Sequence, residues 1–226
     1  MSEQPPAHTL QAVLDAPPGS TMLLLVRHAD RGPIPPGDPG NDLPLLPEGV
    51  ERARALGRVI GGRLGLLRSS PVPRCAQTAA AIAAGAAQSP AIVLDTHLGD
   101  PGVYVEQGGA GLGAWQAIGH ERVVEHIIAG VRLPGLADPL PASRRLYEHL
   151  VTTAGGAPGV HVYVTHDLLV AAAAAHWLGV PLTRADWPVF LEALVLGVDD
   201  DGATASYRRW SRPAWGSRTP SEESGG

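Results

Sequence analysis

The sequence predicts an α/β fold in which a mostly parallel sheet carries helices on both faces. Apolar runs typical of buried strands alternate along the chain with segments whose apolar residues recur at helical spacing. Two of these runs, LLLVRH at 23–28 and VHVYVTH at 160–166, end in a histidine in the same way. Ligands of such sheets bind beyond the carboxyl ends of the strands, so we expect His28 and His166 to lie at the same edge.

The first hundred residues supply most of the predicted strand–helix alternation. Residues 9–16 predict a short helix and residues 22–26 a buried strand. A helix is predicted over 47–64, because Pro47 suits a first helical turn and the apolar residues from Val50 to Leu64 follow helical spacing. Residues 66–68, 71–86 and 91–95 then predict a strand, a helix and a strand. The Pro- and Gly-rich stretch 33–44 predicts a loop.

The second half of the chain begins with a segment that lacks this alternation. Residues 97–158 are rich in glycine and proline and predict an insertion over the strand ends, with short helices near 121–129 and 143–152. A strand at 160–164, an alanine-rich helix at 168–178 and a hairpin of 193–198 with 204–210 follow. We therefore expect one domain over 21–212, preceded by a partly disordered extension at 1–20 with a short helix and followed by a disordered tail at 213–226.

Composition excludes several classes of function. The 226 residues carry a net charge of −5, which does not favour a broad electrostatic hold on nucleic acid, and all basic residues are arginine, which excludes lysine chemistry. A single cysteine, Cys75, excludes an internal disulfide and any multi-cysteine metal site. The N-terminal segment does not resemble a signal peptide, and no apolar run reaches the ~18 residues of a membrane span. We expect a cytoplasmic protein that binds neither nucleic acid nor membrane.

Three arginines can reach the edge where His28 and His166 are expected. Arg27 and Arg31 flank His28, and Arg74 stands at the start of the second long predicted helix. A guanidinium presents a planar fork of donors that suits phosphate and stays charged at any working pH. Three such groups would repel one another without an anion between them, so the pattern predicts a phosphate site.

The two histidines and two aspartates supply the remaining groups that phosphoryl transfer needs. A neutral imidazole such as His28 is a competent nucleophile toward phosphorus, and a protonated His166 would stabilise the transferring oxygens. A carboxylic acid must protonate the leaving oxygen, and the candidates are Asp167 and Asp100. Asp167 could instead cap the following helix, and Asp100, which precedes Pro-Gly, could be a turn residue.

Four segments in order resemble the histidine phosphatase superfamily, whose fold is phosphoglycerate mutase-like. These are LVRHADR at 25–31, LLPEGVERARALG at 45–57, RSSPVPRCAQTAAAIA at 68–83 and VYVTHD at 162–167, and the resemblance covers about residues 20–210. It implies a three-layer α/β/α sandwich and a phosphohistidine intermediate on His28. It also implies a phosphate pocket of Arg27, Arg74 and His166, with no metal or organic cofactor.

The chain combines features of two branches of that superfamily. Arg31 and the His166-Asp167 pair resemble the acid phosphatase branch, in which the second arginine touches phosphate and the aspartate donates the proton. SSPVPRCAQTA resembles the mutase branch, whose acid comes from the segment around Asp100. Ala29 stands where the family usually has glycine. We favour Asp167 as the proton donor because Arg31 and Asp167 depart together toward one branch.

The sequence thus predicts a phosphomonoester hydrolase that acts through His28 on a small phosphorylated metabolite. The alternatives are a phosphomutase of the same fold and a weakly active phosphate-binding or regulatory module. No metal is expected, because the other histidines, His97 and His149 among them, have no metal-like spacing along the chain.

Overall fold

Seven strands form a single sheet in the computed structural model, which describes residues 4–35, 40–99, 102–105, 110–199 and 202–214. They are β1 Thr21–Arg27, β2 Leu64–Ser69, β3 Ile92–Leu94, β4 Gly159–Thr165, β5 Ala193–Asp199, β6 Gly202–Tyr207 and β7 Trp210–Pro213. Their order across the sheet is β3-β2-β4-β1-β5-β6-β7.

The sheet is mixed, where the sequence predicts a mostly parallel one. Strands β3, β2, β4 and β1 run parallel to one another, whereas β5, β6 and β7 add to β1 as an antiparallel ribbon. Short connections join β5 to β6 and β6 to β7, and strands joined in this way pair antiparallel. The prediction therefore holds for the half of the sheet whose carboxyl ends carry His28 and His166.

Seven helices pack around the sheet in the described part of the chain: α1 Ala7–Asp15, α2 Pro47–Ile60, α3 Pro73–Gly85, α4 Ala110–Ile118, α5 His120–Ile128, α6 Pro139–Ala154 and α7 Asp167–Leu178. Helix α2 is shorter than predicted because Gly61 takes a left-handed φ of 57° and a 3₁₀ turn follows. Helix α4 and strand β7 were not predicted. The glycines around α4 disfavour a helix on propensity alone.

Alternate residues of β1 face two separate cores, which makes the fold three-layered. Leu23 and Leu25 contribute to a core that includes α5, α6 and α7. Leu24 and Val26 contribute to the core on the other face, with α2 and α3. Helix α7 is apolar on all sides and every residue from 168 to 178 is buried, as expected for a helix covered by neighbours.

Both ends of the described chain join the domain. The hydroxyl of Thr9 in α1 donates to the carbonyl of Leu191 and accepts from the amide of Ala193 at the start of β5. The amide of Ala214, two positions after the predicted boundary at 212, donates to the carbonyl of Ala203 at 2.7 Å. Residues 1–3 and 215–226, for which disorder is predicted, lie outside the described residues. Within the described ranges, every helix is too short or too polar to cross a bilayer.

Candidate active site

The predicted convergence of strand ends brings His28 and His166 together. Arg27 of β1 pairs with Thr165 of β4, and the amide of His28 donates to the carbonyl of Thr165 at 2.9 Å. The two imidazole centroids are 5.6 Å apart, and the residues are 3% and 2% exposed. We call this edge, formed by the carboxyl ends of β1, β2, β3 and β4, the carboxyl rim.

Arg74 lies between the two histidines. Its Nε donates to Nε2 of His28 at 3.0 Å, and its Nη2 is 3.1 Å from Nδ1 of His166. The third donor, Nη1, bonds the carbonyl of Gly40 at 2.8 Å. Arg74 is the second residue of α3 and is only 3% exposed, so the packing of α3 holds its guanidinium in place. We call the two histidines, His28 and His166, together with the Arg74 that joins them, the arginine-bridged pair.

The hydrogen bonds of His28 define its tautomer. Nδ1 lies 2.8 Å from the carbonyl of Ala29 and must therefore be the protonated nitrogen, which leaves the lone pair on Nε2 facing Arg74. Burial lowers the pKa of His28 well below 6.5, and repulsion from His166, Arg27 and Arg74 lowers it further. His28 is thus a neutral imidazole whose Nε2 lone pair accepts from Arg74, and the neutral imidazole is the form that a nucleophile requires.

His166 has a matching arrangement with Ser70 as its second partner. Since Nδ1 accepts from Arg74, the proton lies on Nε2, which is 3.0 Å from the hydroxyl of Ser70. Ser70 also accepts from the amide of Val72 at 3.3 Å, which orients its hydroxyl. Ser70 is a positioning residue that sequence reasoning did not single out, although it belongs to the RSSP segment next to Arg74.

Arg27 connects the histidines to Asp167. Its Nη2 is 3.0 Å from Oδ2 of Asp167, and its Nη1 donates to the carbonyl of Pro188 at 2.7 Å. The guanidinium lies 4.3 Å over the ring of Phe190, whose centroid is also 5.5 Å from that of His28. Phe190 was missed because its segment reads simply as the edge of the sheet. The Nε of Arg27 is buried without an acceptor and has donor capacity for an anion.

Arg31 completes the group of cations. Its Nη1 donates to the carbonyl of Gly32 at 2.7 Å, and its Nε is buried without an acceptor. Burial lowers the pKa of Arg31, and the charges of Arg74 and Arg27 lower it further. The three guanidinium groups therefore lie close enough to repel one another, which is the arrangement that favours a bound anion.

Asp167 is held as a carboxylate in this environment. Its Oδ1 accepts from the amide of Leu168 at 2.9 Å and lies 3.5 Å from Nε2 of His120. Burial opposes ionisation, but the contact with His120 and the charge of Arg27 lower the pKa of Asp167 far below its usual range. His120, the first residue of α5, was not singled out from the sequence, and no sequence signal links it to Asp167.

The other candidate acid, Asp100, lies outside the described residues. The chain just before it is anchored at the carboxyl rim, because the hydroxyl of Thr165 donates to the carbonyl of Leu98 at 2.8 Å. Ala29, which replaces the usual glycine, is buried, donates its amide to Thr78 and does not adopt positive φ. The turn after β1 therefore does not need glycine.

Three further residues meet at the carboxyl end of β3. Asp95 Oδ1 is 3.0 Å from His97 Nδ1, and Asp95 Oδ2 is 2.6 Å from His149 Nε2. Burial opposes ionisation of Asp95, but hydrogen bonds from His149 and His97 lower its pKa to about 2. Spacing along the sequence did not indicate this cluster, because His149 lies 54 positions from Asp95 and is brought there by α6. We call His97 and His149, together with the Asp95 that joins them, the aspartate-bridged pair.

The chain is similar to known proteins in its site-bearing region and in its fold. Residues 23–100 match the family model described as the histidine phosphatase superfamily (branch 1). The structure of a mycobacterial glucosyl-3-phosphoglycerate phosphatase is 25% identical with a TM-score of 0.52, over 79% of this chain and 90% of that chain.

More distant structures share the fold. A phosphoserine phosphatase mutant from Entamoeba histolytica is 15% identical with a TM-score of 0.56, over 82% of this chain and 95% of that one. A phosphoglycerate mutase from Bacillus anthracis str. Sterne is 16% identical with a TM-score of 0.54, over 84% and 93%. No curated protein sequence matches the chain.

Proposed function

We propose that the chain is a member of the histidine phosphatase superfamily and a phosphomonoester hydrolase that forms a phosphohistidine on His28. Superfamily membership alone allows a phosphatase or a mutase. The observation that carries the proposal is the neutral His28, whose Nε2 lone pair is held by Arg74 within a group of cations. A phosphate that accepts hydrogen bonds from Arg74 frees this lone pair for attack on phosphorus.

Phosphate binding changes the hydrogen-bond partners of His28 and His166 and of the arginine that joins them, Arg74. An anionic oxygen is a better acceptor for a guanidinium than an imidazole nitrogen. Once Arg74 turns its donors to the phosphate, Nδ1 of His166 can take up a proton, while Nε2 stays bonded to Ser70. A protonated His166 then adds a donor and a charge at the phosphoryl oxygens. The unpartnered Nε atoms of Arg27 and Arg31 supply further donors.

The reaction proceeds in two displacements. In the first, Nε2 of His28 forms a bond to phosphorus as the ester P–O bond breaks, and the leaving oxygen takes a proton from a carboxylic acid. In the second, water attacks the phosphohistidine, its proton returns to that carboxylate, and the P–N electron pair returns to Nε2. Phosphate and the starting protonation states are recovered.

We propose Asp167 as the acid, with Asp100 as the alternative. The surroundings that lower the pKa of Asp167 favour its action as a base toward water in the second step. To act as an acid in the first step, Asp167 must gain a proton when substrate binds. A phosphate dianion at Arg27 supplies the reason, because it competes for the guanidinium and repels the neighbouring carboxylate, and both effects raise the pKa of Asp167.

A small phosphorylated metabolite suits the site better than a folded phosphoprotein. The reacting nitrogen belongs to a residue that is 3% exposed, so the phosphoryl group has to enter a recess to reach it. The similar mycobacterial structure bears the name of a phosphatase of a small sugar-containing phosphate ester. A mutase would return the phosphoryl group to an organic acceptor instead of water, so product analysis separates the two activities.

The test of the proposal is to trap the intermediate. After mixing with a phosphomonoester such as p-nitrophenyl phosphate and rapid quenching, peptide mass spectrometry should locate an acid-labile phosphoryl group on His28. His28→Ala should abolish both the adduct and turnover, whereas replacement of His126, a half-buried histidine of α5, by alanine should change neither. Turnover by His28→Ala, or an adduct on another residue, would exclude the proposed mechanism. Stoichiometric release of inorganic phosphate would identify a hydrolase.

A further inference from the structure

The aspartate-bridged pair takes no part in the proposed reaction, yet it gathers three metal-binding side chains at one point. Asp95 follows β3, His97 lies in the 3₁₀ turn Thr96–Leu98, and His149 is on α6. Their possible ligand atoms all lie within 4.8 Å of one another. We propose that Asp95, His97 and His149 form a binding site for a divalent transition-metal ion, for which Zn²⁺ is the best match.

The donor set indicates the type of ion. Two imidazoles and one carboxylate are ligands that Zn²⁺ accepts readily, with water in the fourth position. Mg²⁺ and Ca²⁺ prefer oxygen ligands throughout, so two nitrogen donors disfavour both. Zn²⁺ also binds a given nitrogen and oxygen site more strongly than Mn²⁺ or Fe²⁺.

The carboxylate at the centre of the site is held in a fixed orientation. The side chain of Asp95 is only 3% exposed, its Oδ1 accepts from the backbone amide of His97 at 3.0 Å, and its Oδ2 lies 3.0 Å from Nη1 of Arg68. Groups that hold a ligating carboxylate in this way are a common feature of metal sites. The carboxylate of Asp95 is therefore already oriented before an ion binds.

The two histidines can adjust to an ion with small movements. Their rings stack with centroids 4.0 Å apart and an interplanar angle of 19°. Metal–ligand bonds of ~2.0–2.2 Å at tetrahedral angles separate ligand atoms by about 3.3 Å, slightly more than the N···O contacts seen here. The side chain of His97 is 52% exposed and free to move outward by this amount. Zn²⁺ then binds His97 Nδ1 and His149 Nε2, and the proton on each of these atoms moves to the other nitrogen of the same ring, so both imidazoles remain neutral ligands.

Arg68 limits the affinity of the site. Its guanidinium already neutralises part of the charge of Asp95 and repels a second cation nearby. Removing this charge should therefore strengthen metal binding, whereas removing a ligand should abolish it. These opposite effects distinguish a metal site from a hydrogen-bonded cluster, because Arg68 contributes favourably to such a cluster.

A bound ion would cross-link β3 to α6 beside the carboxyl rim. Asp95 and His149 are 54 positions apart, so the ion would restrict a long stretch of chain. His97 is next to Leu98, whose carbonyl accepts from Thr165. The site would thus stabilise the surroundings of His166 without entering the reaction.

Metal titration of the full chain tests the proposal. The protein is stripped with a chelator and titrated with ZnCl₂ by calorimetry and with Co²⁺ by visible spectroscopy. Wild type, His28→Ala and His126→Ala should each bind one equivalent, and His28→Ala controls for binding at the arginine-bridged pair. In His97→Ala and His149→Ala we expect affinity to fall by more than the roughly 10–100-fold that the loss of an outer partner causes. Arg68→Gln keeps an amide donor for Oδ2 of Asp95 but removes the positive charge, so it should bind Zn²⁺ more tightly.

Thermal unfolding provides the second readout. Zn²⁺ should raise the midpoint of unfolding in wild type by mass action and leave that of His97→Ala unchanged. His97 is exposed, so its replacement should not prevent folding. Failure of wild type to bind Zn²⁺, or equal affinity in wild type and His97→Ala, would overturn the proposal.

Discussion

Two pairs of histidines lie on the carboxyl rim, and each is joined by a single charged side chain. Arg74 donates to His28 and contacts His166, whereas Asp95 contacts both His97 and His149. Both bridging residues are almost completely buried. The pairs differ mainly in the sign of the bridging charge, and that sign determines which ligand each pair can accept.

The bridging charge determines where the imidazole lone pairs point. A guanidinium has donors only, so the facing nitrogens of His28 and His166 must be acceptors and cannot carry protons. An ionised carboxylate accepts only, so the facing nitrogens of His97 and His149 carry protons, which a metal ion can replace. The arginine-bridged pair is therefore suited to bind an anion, and the aspartate-bridged pair is suited to bind a cation.

The pairs also differ in how firmly the fold holds them. His28 and His166 follow the central strands β1 and β4 and are almost inaccessible. Asp95 follows the three-residue edge strand β3, and half of the His97 side chain is exposed. Fixed geometry suits a nucleophile that must face phosphorus, and adjustable geometry suits ligands that must close around an ion.

After loss of the nucleophile itself, the largest expected effect comes from removing the arginine bridge. We expect Arg74→Ala to lower kcat/KM for phosphomonoesters by roughly 10³–10⁵-fold, the range for an arginine that stabilises a transferring phosphoryl group. Arg74→Lys keeps the charge but not the planar fork, so it should recover only part of the loss. Steady-state kinetics on both variants, with circular dichroism as a check on folding, makes the comparison.

The pH dependence of these variants sharpens the test. The charge of Arg74 contributes to the low pKa of His28, so His28 in Arg74→Ala should titrate at higher pH and lose its free lone pair at the acidic end. The acidic limb of the kcat/KM profile should shift to higher pH in Arg74→Ala and less in Arg74→Lys. Full activity of Arg74→Ala would show that the bridge is not part of the mechanism.

Sequence patterns predict the arginine-bridged pair because its residues occupy regular positions. His28 and His166 each follow an apolar strand, and parallel neighbouring strands end at the same edge. The helices α2 and α3 are predictable from apolar spacing and from the prolines at their starts, and α7 is predictable from its run of alanines. The glycine-rich α4 and the short β7 lack such signals, and tertiary packing decides them.

The remaining features depend on contacts between distant segments. The packing of α6 brings His149 to Asp95, and the start of α5 brings His120 to Asp167. Neither pair has a spacing that a sequence pattern could reveal. The ionisation of Asp167 depends on the positions of His120 and Arg27, so the sequence could nominate the residue but not its charge.

The next effect concerns Asp167, the carboxylate that forms an ion pair with Arg27. With an alkyl phosphate the leaving oxygen needs a proton, whereas p-nitrophenolate leaves with little help. General acid catalysis is worth roughly 10²–10⁴-fold, so Asp167→Asn should lose about that much with alkyl phosphates and far less with the nitrophenyl ester. Kinetics with a series of leaving groups measures the difference.

Asp100→Asn is the matched variant for this experiment. If Asp167 is the acid, Asp100→Asn should show a smaller loss that does not depend on the leaving group. The reverse pattern would assign the proton transfer to Asp100 and leave Asp167 with the amide of Leu168 and the guanidinium of Arg27 as its partners. Either pattern identifies which of the two carboxylates donates the proton to the leaving oxygen.

The smallest effect is expected from the aspartate-bridged pair. The proposed reaction needs no metal ion, because Arg27, Arg31, Arg74 and His166 supply the positive charge that phosphoryl transfer requires. We therefore expect kcat/KM to stay within about twofold of the wild-type value in excess EDTA and in His97→Ala, measured at a temperature well below unfolding.

His97→Ala serves as the control for EDTA, since it removes a proposed metal ligand while leaving other ions in solution. Loss of activity in EDTA that Zn²⁺ restores would mean that the two pairs are functionally linked, whereas restoration by Mg²⁺ would mean that the reaction itself needs an oxygen-liganded ion. Loss in His97→Ala without any effect of EDTA would instead indicate that the hydrogen bond to Asp95 helps to position the carboxyl rim.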